Sequence, residues 1–287
     1  MKSSRTFVAE QACLRCMQAQ AERLAQRLAG SVEDPDQLRV ELLSFVSPGA
    51  LGISPPLIAS AFHRRARELS GISDPYREDK RENTRMALEL LPGLRRRLAE
   101  ADDSLETAIQ LAIAGNIIDF GPGKEFDLQT QINQALSVPL DAPTLNRFKQ
   151  DLANANRILY LGDNTGEAVF DRILIEQFDK PVTYTVRGSP VINDVTEIDA
   201  HESGLDQVAA ILSTGSDIPG IIPDECSPAF RHAFETADLI ISKGQGNYES
   251  LSGTSRPVYF MLVIKCELVA SHLNRQVGDC VMLAANP

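Results

Sequence analysis

The sequence predicts an α/β fold: an N-terminal helical region followed by a doubly wound, mostly parallel sheet with helices on both faces. Three observations carry that prediction. Apolar residues recur at helical spacing through the first half of the 287 residues. Beyond residue 150 the pattern changes to short β-favouring runs alternating with helical ones, as parallel βαβ units require. The polar clusters of the second half fall just after three of those runs, and an open parallel sheet binds ligands at the carboxyl ends of its strands.

Taken in order, residues 6–28, 55–69 and 76–99 read as helices. The first has spaced apolar positions and no Gly or Pro. The third is rich in Arg, Glu and Leu, with Pro75 suited to its first turn and Asp74 to its cap. Residues 104–118 read as a buried helix capped by Ser104, because 107–118 is largely apolar. Residues 126–136 and 144–155 continue the helical pattern. Strands are expected at 157–161, 181–186, 239–242, 257–264 and 279–283, and helices at 167–178, 230–236 and 267–273. The change of pattern divides the chain into a helical region, 1–150, that packs on the site, and a Rossmann-like α/β domain, 151–287.

The formal net charge is -11. Such a surface repels nucleic-acid phosphates and anionic membranes, so neither is expected as a partner. An anionic substrate would need a local correction, a metal ion or a few placed cations. The cysteines, at 13, 16, 226, 266 and 280, are too few and scattered for a disulfide framework. With no apolar signal-like stretch at the N-terminus and no apolar run near the ~20 residues of a membrane span, a cytoplasmic location is expected. Oligomeric state is not written in the sequence.

Three clusters then carry chemistry. Asp163-Asn164 follows the first strand; a carboxylate beside an amide oxygen suits a hard divalent cation. Equally, Asn164 or Thr165 could cap the next helix, with Glu167 completing a capping-box-like pattern. Arg187-Gly188-Ser189-Pro190 and Asn193-Asp194 follow the second strand; Asp194 could supply a second carboxylate, or the loop could be a plain Asn-Asp turn. Ser242-Lys243-Gly244-Gln245-Gly246-Asn247-Tyr248-Glu249 follows a later strand, where glycines admit an anion to backbone amides and Lys243 adds a charge. It could also be a flexible turn. It is not a Walker A loop, and no GxGxxG follows the first strand. Asn116 and Asp119 sit in an apolar stretch and must find partners, at a helix end or at the site. Cys13 and Cys16 form half a zinc site at best and read as free helical thiols. His63 and His272 fall on helices and read as structural.

Together these strings resemble the damage-control phosphatase family, formerly a domain of unknown function numbered eighty-nine, and its prokaryotic branch in particular. Cys13-x-x-Cys16, Asp74-Pro75-Tyr76 and Ala114-Gly115-Asn116-Ile117-Ile118-Asp119 extend the resemblance over nearly the whole chain. The resemblance implies a metal-dependent phosphatase acting on small phosphate esters, sugar phosphates or damaged phosphometabolites. It implies a divalent ion (Mn, Mg, Co or Ni) on Asp163, Asn164 and Asp194. It implies Lys243 as a phosphate contact and Asn116 near the site. Glu167, Arg187, Gly244, Gly246 and Asn247 complete the expected substrate surroundings. An S-adenosylmethionine-dependent carboxyl methyltransferase and a non-catalytic phosphometabolite-binding protein are the alternatives.

Overall fold

The computed structural model describes residues 7–116 and 128–285. The helical region comprises α1 (Gln11–Leu28), α2 (Pro35–Ser44), α3 (Pro55–Ser70), α4 (Arg77–Ala99), α5 (Ser104–Gly115), α6 (Leu128–Ser137) and α7 (Ala142–Asn154). Then follow β1 (Ile158–Leu161), α8 (Glu167–Ile175), β2 (Val182–Val186), α9 (Glu197–Glu202), β3 (Ala210–Ser213), α10 (Pro228–Thr236), β4 (Leu239–Lys243), α11 (Gln245–Leu251), β5 (Val258–Val263), α12 (Glu267–Leu273) and β6 (Cys280–Ala285). Residues 117–118, 126–127 and Asp119, for which the sequence raised expectations, lie outside the described residues.

The expected α/β class is therefore the observed one. The strands form one sheet in the order β3-β2-β1-β4-β5-β6. β1 to β5 pair in parallel, and β6 runs antiparallel to β5. The alternation of each strand sorts its side chains between two cores. Ile158, Tyr160, Leu239, Ile241, Tyr259 and Met261 point into one cluster, against Ala87, Leu91, Ile109 and Ile113 of the helical region and Val169 and Ile173 of α8. Leu159, Leu161, Ile240, Val258, Phe260 and Leu262 point into the other, against Phe230, Phe234, Leu251 and Val269. Helices thus cover both faces, and the first helices after the N-terminus carry a third cluster of their own around Leu24, Leu38, Leu42 and Phe62. No helix among the described residues is long and apolar enough to cross a membrane.

Capping differs from the sequence reading in detail. α4 begins at Arg77, and Asp74 accepts instead from the Tyr76 amide (3.0 Å) and the Lys80 ammonium (3.1 Å). Asp103, not Ser104, caps α5, accepting from the Glu106 amide at 3.0 Å. α2 escaped the helical pattern, yet Asp34-Pro35 marks its start in the usual way, with Asp34 accepting from the Gln37 amide at 2.8 Å.

What the topology positions is one point on the sheet edge. From β1 the chain winds outward to β2 and β3 on one side, while β4 and β5 lie on the other. The strand order reverses between β1 and β4, and in open α/β sheets ligands bind in the crevice outside the carboxyl ends of the strands at such a switch point. Leu161 pairs with Thr185 and with Ser242, so the three polar loops leave the sheet side by side.

Candidate active site

Asp163 stands immediately beyond β1 and is 7% exposed. Its Oδ2 accepts from the amide nitrogens of Asn116 (3.0 Å) and Asn164 (2.9 Å). Asn116 is delivered by the end of α5 and held there by its own Oδ1, which accepts from the Val263 amide of β5 at 3.2 Å. Burial pushes the Asp163 carboxyl up to about 8, and the charges of Glu167 and Asp194 add to that; Lys265 and Arg187 act in the opposite direction. Gly244, leaving β4 with φ +76, makes the approach possible: a Cβ there would collide with the Asp163 carboxylate.

Asp194 arrives from the loop beyond β2. A bridge joins Asn164 to Asp194, and the Val195 amide donates to the Asp163 carbonyl at 2.8 Å. Thr165 donates both its amide (3.0 Å) and its hydroxyl (2.8 Å) to the Asn193 carbonyl. The structure thus brings Asp163, Asn164 and Asp194 together, from two loops that the sequence separates by some thirty positions. The helix-cap alternative for Asn164 and Thr165 is not what the structure adopts: Gly166 is the N-cap of α8 and no side chain caps it.

Around this group lies a buried charge network. Lys243, fully enclosed, donates to Glu167 Oε1, to Asp171 Oδ1 (2.6 Å) and to the Ala112 carbonyl (2.9 Å). The other oxygen of Glu167 accepts from Asn116 (2.7 Å) and Asn164 (3.2 Å). Tyr160 and Tyr184 donate to the two oxygens of Asp171, at 2.7 and 2.9 Å. Burial works against the Lys243 charge, but Asp171 and Glu167 outweigh it and hold the ammonium above its ordinary range. Arg187, expected beside a substrate, is 3% exposed and spends its guanidinium on Asp194 (2.7 Å), the Gly220 carbonyl (3.2 Å) and Asn247 Oδ1 (2.9 Å). Asn247 in turn donates to the carbonyls of Gly162 (3.1 Å) and Lys243 (2.8 Å), tying α11 to β1 and β4. Gly246 lies against the Pro219 carbonyl.

Two features escaped the sequence reading. Asp171 is one helical turn beyond Glu167, and that i, i+4 spacing in the first turns of α8 was the signal for paired acids on one face. Lys265 follows β5 on the same sheet edge; it is exposed, its amide donates to Gln245 Oε1 at 2.8 Å, and its charge reaches Asp163.

The donor chemistry fits a divalent cation. Asp163, Glu167, Asp171 and Asp194 bring four carboxylates against the two buried cations Lys243 and Arg187. Hard cations take carboxylate and amide oxygens. Among the described residues no three His, Cys, Asp or Glu side chains converge as ligands, so a cation here would rest on two carboxylates and an amide.

The chain is similar to known proteins over most of its length. The damage-control phosphatase ARMT1-like domain matches residues 9–281. A damage-control phosphatase of Archaeoglobus fulgidus is 35% identical over 233 residues, 78% of this chain and 80% of the relative. One of Pyrococcus horikoshii is 32% identical over 282 residues, 94% and 96% of the two chains. A Methanocaldococcus jannaschii protein is 38% identical over 242 residues, 80% and 79% of the two. The crystal structure of a DUF89 family protein from Pyrococcus horikoshii superposes with a TM-score of 0.84 at 30% identity, covering 96% of this chain and 98% of that one.

Proposed function

This chain belongs to the ARMT1-like damage-control phosphatase family, and on that premise we propose that it is a divalent-metal-dependent phosphatase of small phosphate monoesters. The observation that carries the reading is the buried acid cluster at the carboxyl ends of β1 and β4, where burial pushes the Asp163 carboxyl up to about 8 and the charges of Glu167 and Asp194 add to the rise. Asp163, Asn164 and Asp194 would hold the cation. When bound, it neutralises phosphate charge and makes a coordinated water a better nucleophile.

The rest is the work of the chain. Asn116 and Asn164 bridge Asp163 to Glu167, fixing the carboxylate that faces the crevice. Lys243 has its three donors committed to Glu167, Asp171 and Ala112, so it acts through Glu167 as a positioning residue. The exposed Lys265 is then the residue we assign to the substrate phosphate, in place of Lys243; its place on the sheet edge and its pull on Asp163 support that role. Substrates are small phosphorylated metabolites, in keeping with the family.

The test is phosphate release from a panel of sugar phosphates and related monoesters in Mg²⁺, Mn²⁺, Co²⁺ or Ni²⁺. Release should require one of these ions and should fall by about 10²–10³ or more in Asp163→Ala, the usual loss when one preorganised electrostatic group is removed. Turnover that survives thorough chelation, or that survives Asp163→Ala, would sink the proposal.

A further inference from the structure

Asp194 reaches the site on a backbone that no local preference favours. Ile192, two residues before it, has φ +46. A β-branched side chain is a poor occupant of the left-handed region, and such conformations persist only where the surroundings over-determine them. The surroundings here are specific. Beyond the strained residue, the Asn193 carbonyl is held by the amide and hydroxyl of Thr165, and the Asp194 carboxylate by Arg187. Ahead of it, the Pro190 carbonyl accepts from Arg67 Nη1 at 2.6 Å. That tie comes from α3, in the helical region, 123 positions away in the chain.

Arg67 does not reach Pro190 by chance of a flexible surface side chain. Its side chain is 16% exposed, and its Nη2 donates to Asp217 Oδ2 at 2.6 Å. Asp217 is itself fixed by Arg64 (2.6 and 3.1 Å) and by the Ser60 hydroxyl (3.0 Å), also from α3. The segment carrying Asp217 lies beside the Asp194 loop, because the Gly188 amide donates to the Ser216 carbonyl at 2.8 Å. One carboxylate therefore orients the guanidinium that grips the near end of the strained turn.

We propose that Arg67, braced by Asp217, is a positioning residue that holds the Pro190–Ile192 turn in its strained form and so fixes the aim of Asp194 at the cation site. The proposal rests on the metal-dependent phosphatase reading for its functional consequence. Residues that orient a metal ligand without touching the metal affect affinity chiefly through the ligand's geometry.

The experiment compares wild type with Arg67→Met by calorimetric Mn²⁺ titration and by phosphate release at increasing Mn²⁺. Mn²⁺ affinity should fall by about 10–100-fold, the usual effect of removing a group that orients a ligand. Turnover at saturating Mn²⁺ should stay near the wild-type value. Ile192→Gly placed in the same chain should recover most of the affinity, because glycine adopts the turn without strain. Mn²⁺ affinity unchanged in Arg67→Met overturns the proposal, even if the thermal midpoint drops. So does Ile192→Gly that leaves the weakened affinity where it was. If Arg67→Met does not fold, Asp217→Asn carries the same expectations. If wild type binds no Mn²⁺, the titration is made with whichever of Mg²⁺, Co²⁺ and Ni²⁺ binds; if none does, the phosphatase reading has failed, and positioning is read from amide hydrogen exchange: at least about tenfold faster exchange at Asp194 in Arg67→Met upholds it, and an unchanged rate overturns it.

Discussion

Lys243 and Lys265 stand at neighbouring strand ends of one crevice and carry the same charge, yet their surroundings separate their work. Lys243 is enclosed between Glu167 and Asp171, whereas Lys265 is exposed. Lys243→Met would leave two buried carboxylates without their cation, a change that commonly costs about 3–5 kcal/mol. A lowered thermal unfolding midpoint is therefore expected, together with loss of turnover as Glu167 moves. Lys265→Met should leave the midpoint unchanged and raise KM for phosphate esters while sparing metal affinity. The reverse assignment, with KM rising only in Lys243→Met, would return the phosphate contact to Lys243. This pair also marks how far the site was legible. Asp163, Asn164, Asp194 and Gly244 could be read because each follows a β run, and topology places every such loop at one edge. The partners of Lys243 could not, because a sequence lists charges without saying which become buried together. The Asn164 cap pattern holds only in its second half: Glu167 accepts from the Asn164 amide at 3.5 Å, but no side chain caps α8, and the same carboxylate also accepts from Lys243 and from the side chains of Asn116 and Asn164.

Elements make that crevice through what they exclude. α11 begins directly at the end of β4, and Gly244 between them carries φ +76 against the Asp163 carboxylate. Gly244→Ala adds a methyl where the carboxylate sits and forces an alanine into an extended positive-φ conformation open essentially to glycine, a conformational penalty of about 1–3 kcal/mol before any collision is counted. Turnover should fall at least as far as in Asp163→Ala, with a modest drop in thermal midpoint; near-normal turnover would mean that Asp163 is not held where the structure puts it. The same element explains what sequence patterns could and could not convey. α11 opens on Gln245-Gly246-Asn247 and α9 has six mostly polar residues, so neither shows an apolar stripe as α12 does over seven, and the glycine loop accordingly reads as a turn. β3 lies at the sheet edge, with Ala210 exposed and three residues partly buried; its apolar run at 208–212 is at least as long as that of β4 but includes two alanines, which do not favour a strand. The long helices and the doubly buried strands announced themselves because burial dictates composition over many consecutive positions.

At the scale of the whole molecule the site is a fault in the fold's own electrostatics, and folding and metal should therefore be linked. An Asp163 carboxyl raised to about 8 in the folded chain binds its proton more tightly than the unfolded chain, whose aspartate titrates near 4. That favours folding below pH ~4 and is lost as pH rises through about 8. Chelated protein should accordingly lose thermal stability across that window, beyond whatever other groups contribute. A divalent cation on Asp163, Asn164 and Asp194 acts in the opposite sense, since it binds the ionised carboxylate and only in the folded chain, where α3, α8 and α11 hold the three loops together. At about a hundredfold excess over its dissociation constant it should add about 2.7 kcal/mol, a rise of several degrees for a chain of this size. The rise should be larger at pH 8 than at pH 6, because protons compete for the same carboxylate. Asp163→Asn removes both effects at once: its midpoint should vary less with pH in chelator, lie at or above that of the wild type at pH 8, and fail to respond to Mn²⁺. Differential scanning of both proteins at the two pH values, with and without Mn²⁺, reads all of this directly. A Mn²⁺-induced rise of equal size in Asp163→Asn would locate the cation elsewhere.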